Sequence, residues 1–308
     1  MTDDMNKPNV PVSVIIPHYN RSHFITAALA SIREQTVKVA EIIIVDDASL
    51  PEHRRRLFEF ADVVRVICLD KNGGPAHARN VGIRAAQCDY LAFLDDDDLW
   101  LPDKLKIQWR LLTESQDLSA VTSAVTLFHD DGTPSSVMEG HSPDIMTLEA
   151  ALEGTPALIQ TMLVRAPVVR ALNGFDAGFQ QFEDQEFWIR LMAAGYRVKH
   201  LRTPLVQVRR GTHQSLTTHW WSYHSSRLKV IEKHWRLYNE VLGAGGARRT
   251  ASKQIRRAGI GRGGVFGRVV YAAGCIFGNE LRPLVGLAAT GRLSDVPYSR
   301  NGDAIAGA

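Results

Sequence analysis

Short apolar runs alternate with amphipathic stretches through the first half of the chain. Residues 12–16, 41–45, 63–69 and 90–94 are largely apolar, rich in β-branched or aromatic residues, and too short for buried helices, so they predict strands. Between them, 24–33, 52–60 and 76–86 predict helices, and a further helix over 102–115 opens on Pro102. This strand–helix alternation predicts an α/β fold with a mostly parallel sheet flanked by helices. A strand over 121–128 follows, closed by the turn signal His129-Asp130-Asp131-Gly132. Beyond it the pattern is mixed: a helix at 147–152, a strand-like run at 158–165, and short strands at 198–201 and 205–208. A clear helix at 184–194 carries apolar Phe187, Trp188, Leu191 and Met192, and a long helix is predicted over 220–241.

Composition shifts at Gly243-Ala244-Gly245-Gly246, which reads as a linker. The predicted organisation is an N-terminal tail (1–11), an α/β domain (12–242) and a basic, glycine-rich, partly helical C-terminal extension (243–308). Between Glu240 and Glu280 that extension has seven Lys/Arg and no acid, with apolar stretches at 269–277 and 284–289. Basic residues beside apolar stretches suit an anionic membrane surface, or else a terminal helical pair packed on the domain with solvated arginines. A net charge of +3 over 308 residues is too small for a nucleic-acid-binding chain. The three cysteines, Cys68, Cys88 and Cys275, lack metal-ligand spacing and suit a reducing compartment, the first two as buried thiols. Residues 1–11 are polar, without an apolar signal segment, and no run of about 18 apolar residues occurs. The expected location is cytoplasmic, with peripheral contact at a membrane face only on the first of the two readings of the extension.

Candidate chemistry gathers at strand ends. The apolar run at 90–94 ends in Asp95-Asp96-Asp97-Asp98. Four adjacent carboxylates repel one another, and hard oxygens suit Mg²⁺ or Mn²⁺. The plainer alternative is a solvated acidic turn ahead of the next helix. The first strand ends in Pro17-His18-Tyr19-Asn20 and the second in Asp46-Asp47-Ala48-Ser49. Ligands in open α/β sheets bind at the carboxyl ends of strands, where Tyr19 offers an aromatic wall and Asp47 an acceptor for base N–H groups. Helix capping is the alternative role for Asp47 and Ser49.

These segments, with Asn72-Gly73-Gly74-Pro75-Ala76-His77-Ala78-Arg79-Asn80-Val81-Gly82, occur in an order that resembles the family 2 glycosyltransferases of GT-A fold, from about residue 12 to 213. The resemblance implies a nucleotide-sugar donor, UDP-linked in first expectation, lying across the first strand ends. Tyr19 would stack on uracil, Asp47 would meet its N–H groups, and Pro17, Asn20, Arg79, Asp95 and Asp96 would complete the donor site. Asp95 and Asp97 match the family's D-x-D, with Asp97 as direct ligand of Mn²⁺ or Mg²⁺. Glu183-Asp184 matches the family's E-D pair and makes Asp184 the general base; the plainer reading is acidity at a helix start. Asn173-Gly174-Phe175-Asp176 resembles G-G-F-D with Asn173 in place of the first glycine. Arg209 to Ser215 resembles R-x-H-x-x-S, with Arg210 for the arginine and His213 as a third metal ligand or diphosphate contact. No Q-x-x-R-W follows, which favours addition of one or few sugars, and Trp220 and Trp221 either flank the acceptor or anchor the long helix.

The resemblance therefore implies an inverting glycosyltransferase acting on a glycan or lipid-linked saccharide, in surface-polysaccharide biosynthesis. Two alternatives stand beside it. A sugar-1-phosphate nucleotidyltransferase would want G-x-G-x-R where Pro17-His18-Tyr19-Asn20-Arg21 stands. A non-catalytic nucleotide-sugar or glycan-binding subunit would be expected to lack Asp97 or Asp184, and both are present.

Overall fold

The computed structural model describes residues 7–131, 133–138, 143–210 and 220–260. The chain divides into two compact units, Met1–Thr218 and His219–Ala308. In the first unit the alternation read from the sequence is β1 (Asn9–His18), α1 (Ser22–Arg33), β2 (Lys38–Asp46), α2 (Pro51–Leu57), β3 (Arg65–Cys68), α3 (Gly74–Ala85) and β4 (Tyr90–Phe93). There follow β5 (Leu99–Trp100), α4 (Lys104–Glu114), β6 (Ala120–His129), β7 (Pro134–Met138), α5 (Leu148–Glu153), β8 (Leu163–Arg165), α6 (Ala166–Ala171), α7 (Glu183–Ala193) and β9 (Val198–Arg210).

One nine-stranded sheet runs in the order β3-β2-β1-β4-β8-β6-β9-β5, with β7 on β6. β3, β2, β1 and β4 are parallel neighbours, β8 is antiparallel to both β4 and β6, and β6 is parallel to β9. Six strands (β3, β2, β1, β4, β6, β9) therefore point one way and β5, β7 and β8 the other, so the sheet is mostly parallel. Their shared direction brings the carboxyl ends of β1, β2 and β4 to one rim. β1 is central and covered on both faces, which explains its nearly continuous apolar run. Val12, Val14 and Ile16 enter the main core with Ile25, Leu29, Ile44 and Leu105. On the opposite face Ile15 lies so close to Gly82 of α3 that a Cβ there would overlap Ile15 Cγ2. That absence of a side chain seats α3, and so Arg79, tightly over β1.

Several elements depart from the sequence pattern. The run at 158–165 is a single 3₁₀ turn (Ile159–Thr161) followed by β8. The two short strands expected around 198–208 are one strand, β9, whose register against β6 shifts on both sides of Pro204. Proline supplies no N–H to the ladder, so the irregularity falls there. Cys68 and Cys88 are half-buried free thiols rather than fully buried ones. β5, β7 and α6 were not legible as elements.

In the second unit α8 spans Trp220–Ile260 and leaves helical geometry only at Gly243 (φ 67°, ψ 161°). Gln254 Nε2 donates to Tyr238 Oη at 3.3 Å. Sixteen residues of straight helix would separate those positions by about 24 Å, so the chain folds back at Gly243. The glycine-rich segment is thus a one-residue break between two helical arms rather than an extended linker. Among the described residues no helix is long and apolar enough to cross a membrane.

Candidate active site

Three turns meet at the carboxyl rim. The first, after β1, is sharp because Asn20 takes φ 55°, a left-handed conformation that Asn tolerates. Its N–H donates to Ser49 Oγ (2.9 Å) and its Oδ1 accepts from Leu50 N–H (2.8 Å), tying the β1 turn to the β2 turn. Tyr19 stands out from this junction, 46% exposed, as an aromatic face open to a ligand. Pro17 is buried within β1 itself.

In the β2 turn, Asp47 accepts Gly73 N–H and Gly74 N–H on its two oxygens, both at 2.8 Å, and is buried. Its visible work is to pin the Gly73–Gly74 turn at the start of α3. Each carboxylate oxygen has a second lone pair beyond the one used here. Asp46 is buried, and Arg54 Nε donates to its Oδ2 at 2.8 Å.

The four aspartates after β4 sort into two facing outward and two facing inward. Asp95 and Asp97 keep 27% and 13% of their side-chain surface exposed. Asp96 is fully buried, with His18 Nδ1 2.8 Å from one oxygen and Arg21 Nη2 2.7 Å from the other. Expected among the donor-binding residues, Asp96 is instead enclosed and anchors the turn from beneath. Asp98 is also buried, and accepts Arg209 N–H (2.9 Å) and Gln160 Nε2–H (2.8 Å). Burial first, then the charges of Asp97 and Asp95, push its carboxyl well above the usual range. Arg209 Nε donates to the Asp97 carbonyl at 3.1 Å. Its guanidinium lies between the rings of Phe24 and Phe128, 4.5 and 4.6 Å from their centroids, which fixes the turn to the end of β9.

α7 brings the second carboxylate pair. Phe182, just before it, holds φ 62°, a strained setting for a bulky residue. Glu183 Oε1 accepts Arg79 Nη1–H at 2.7 Å, while Arg79 Nη2 donates to Asp95 Oδ1 at 2.8 Å. Arg79 is buried and lies against the Phe175 ring, 5.7 Å from its centroid. Burial works against its charge, but Asp95 and Glu183 outweigh that and raise its pKa. Asp184 accepts the Gln185 N–H at 2.7 Å. Burial, then the neighbouring Glu183 charge, push its carboxyl up to about 7, against the lowering effect of Gln185 N–H and Arg79. A carboxylate poised near neutrality suits a general base. The Asn173-Gly174 element keeps the backbone a glycine pair would give, since Asn173 (φ 57°) and Gly174 (φ 68°) are both left-handed. Asn80 clamps that element by donating to Phe175 O (2.7 Å) and accepting from Phe175 N–H (2.8 Å).

Six carboxyl groups (Asp95 to Asp98, Glu183, Asp184) thus gather around two guanidiniums, those of Arg21 and Arg79, while the Arg209 guanidinium pairs with Asp130. Two of the six, Asp98 and Asp184, are pushed up in pKa by burial first and by neighbouring carboxylate charge second. Among the described residues no group of three or more His, Cys, Asp or Glu converges into a metal cage. Mg²⁺ is commonly held by one or two carboxylates with substrate phosphates completing the shell. The outward Asp95 and Asp97 fit that pattern. His213 and the side chains of Trp220 and Trp221 lie outside what the structure describes, and Arg210 is exposed at the end of β9.

No local sequence pattern assigns these contacts to Arg21, Arg209, Gln160 or Asn80. Each acts across a turn or sheet edge more than 60 residues away in sequence.

The chain is similar to known proteins over most of its length. The family model described as glycosyl transferase family 2 matches residues 13–160. TuaG of Bacillus subtilis (strain 168), a glycosyltransferase assigned to teichuronic acid biosynthesis, is 30% identical over 233 residues, covering 75% of this chain and 88% of TuaG. WfgD of Escherichia coli, a UDP-Glc:α-D-GlcNAc-diphosphoundecaprenol β-1,3-glucosyltransferase, is 28% identical over 59% of this chain and 69% of its own. Among solved structures, S. aureus TarS 1–349 in complex with UDP-GlcNAc superposes with a TM-score of 0.66 at 17% identity, over 92% of this chain and 88% of that one. The mannosyltransferase PcManGT from Pyrobaculum calidifontis, in complex with GDP-Man and Mn²⁺, gives 0.58 at 18% identity over 96% and 90%. Those two likenesses speak for the GT-A fold; with the match to TuaG and the motifs at the rim, the chain belongs to glycosyl transferase family 2 and is a glycosyltransferase.

Proposed function

We propose that this chain transfers a sugar, with inversion, from a UDP-linked donor to a hydroxyl of a glycan or lipid-linked saccharide in surface-polysaccharide synthesis. The observation that carries the proposal is Arg79, buried and bridging Asp95 of the acidic turn to Glu183 beside Asp184. It joins a donor side to a base side at one rim. Tyr19 stacks on the base, and Asp47 sets the glycine turn beside it. Asp184 accepts the proton of the acceptor hydroxyl as that oxygen attacks the anomeric carbon. The bond from that carbon to the donor phosphate oxygen breaks, and a single displacement from the opposite side inverts the centre. Asp97 and Asp95 are the residues that would hold Mn²⁺ or Mg²⁺, which supplies charge neutralisation to the leaving diphosphate. The names of TuaG and WfgD support the polysaccharide setting, and those of WfgD and the TarS complex support UDP.

The test offers UDP-Glc, UDP-GlcNAc and GDP-Man separately, with Mn²⁺, to free glycan and to diphospholipid-linked saccharide acceptors, and reads the product's anomeric configuration by NMR. The expected product is a β-linked sugar from an α-linked UDP donor. Retained configuration would contradict the single displacement, and turnover with GDP-Man alone would contradict the UDP assignment.

A further inference from the structure

The acidic turn carries an occupant of its own. Arg21 splits its guanidinium between two adjacent carboxylates, with Nη2 2.7 Å from Asp96 Oδ1 and Nη1 2.6 Å from Asp97 Oδ2. The two contacts differ in kind. Asp96 is sealed from solvent, with His18 Nδ1 2.8 Å from its other oxygen. Asp97 is at the surface of the turn, and the Arg21 side chain is itself 32% exposed, against 5% for Arg79. Arg79 is therefore built in, whereas Arg21 has room to move. A divalent cation arriving at Asp97 meets a like charge already on that carboxylate.

Arg21 also stands on the same turn as Tyr19 and Asn20, which the Ser49 and Leu50 contacts tie to the β2 turn. The diphosphate of a donor would lie between the base at Tyr19 and the cation at Asp97. It would thus pass the one partly exposed guanidinium on that turn.

Resting on the donor-site reading above, we infer that Arg21 is a resident counter-cation of the ligand-free enzyme. It holds Asp97 in place and keeps divalent metal off until a nucleoside diphosphate arrives. It then passes from the Asp97 carboxylate to a phosphate oxygen, so that metal and nucleotide each tighten the other's binding. No covalent step is involved, and Arg21 is a positioning and coupling residue.

The test measures Mn²⁺ binding directly, by the loss of the free-ion EPR signal, with and without UDP and without turnover. In the wild-type protein, Mn²⁺ alone should bind weakly and UDP should tighten it. In Arg21→Gln, Mn²⁺ alone should bind about tenfold more tightly, a change of about 1.4 kcal/mol, and the tightening by UDP should shrink. Because Arg21→Gln leaves Asp96 with less compensation, Arg21→Gln/Asp96→Asn serves where the single variant is unstable, with the same expected result. Unchanged or weaker binding of Mn²⁺ alone in either variant, while the wild type still binds Mn²⁺ with UDP, would overturn the inference and spare the site reading. Failure of the wild type to bind Mn²⁺ even with saturating UDP would overturn both.

Discussion

Asp184→Asn lowers turnover by about 10²–10⁴-fold, the usual contribution of a positioned general base, while donor affinity stays within a factor of about two to three. The amide keeps the shape and the Gln185 N–H contact of the carboxylate but takes no proton. The effect should fall on kcat, with KM for the donor unchanged, and steady-state kinetics with a labelled nucleotide-sugar reads both. The wild-type pH profile carries the same signature. As the proposed base, Asp184 would work only when ionised, and its carboxyl is pushed up to about 7 by burial and the Glu183 charge. kcat/KM should therefore fall about tenfold per pH unit below that value, and the acid limb should vanish in the residual activity of Asp184→Asn. Stability moves the opposite way. A carboxyl with a raised folded pKa favours folding below its unfolded pKa and loses that contribution as pH rises through the folded value. The Asn variant should therefore unfold at a higher temperature than wild type at pH 8, with the difference closing by pH 4.

The second large effect lies at Arg79. Its removal leaves the buried Glu183 and the partly exposed Asp95 without their shared cation, with Asp184 beside them. Breaking a buried ion pair from one side costs about 3–5 kcal/mol, and Arg79→Met should fall in that range in urea unfolding. Arg79→Lys should recover little, because one ammonium does not reproduce a planar fork with Nη1 on Glu183 and Nη2 on Asp95. If Arg79→Met unfolds like the wild type, the bridge between the two halves of the site contributes nothing to folding.

β1, β2 and β4 were legible because their central residues are buried between covering layers and read as nearly continuous apolar runs, and edge strand β3 was legible from its β-branched run. β5 and β7 were not, for β5 is two residues long and β7 (Pro-Ser-Ser-Val-Met) has no strand-like alternation. β9 read as two strands because Pro204 interrupts its pattern, although β6 pairs along the whole of it. At the site, the carboxylates were visible as a run of charge, but their division into outward Asp95 and Asp97 and inward Asp96 and Asp98 was not. That division depends on partners supplied from the ends of β1 and β9. Asp47 shows the same limit. Its type suggested a base acceptor, whereas its nearest donors are the Gly73 and Gly74 amides. Residue type and spacing announce the chemistry available at the rim. Which carboxylates are anchored and which are presented is decided by long-range arginine and histidine contacts that no local pattern encodes.

The most direct measurement is thermal unfolding with UDP, GDP, CDP and dTDP, each with and without Mn²⁺, in the wild type and in Asp97→Ala. A ligand at 100 times its dissociation constant stabilises the folded state by about 2.7 kcal/mol. The expected result is an upward shift with UDP that requires Mn²⁺ and disappears in Asp97→Ala. A shift with UDP and Mn²⁺ that persists undiminished in Asp97→Ala, or no shift with any nucleotide, would contradict a cation-dependent donor site at the end of β4.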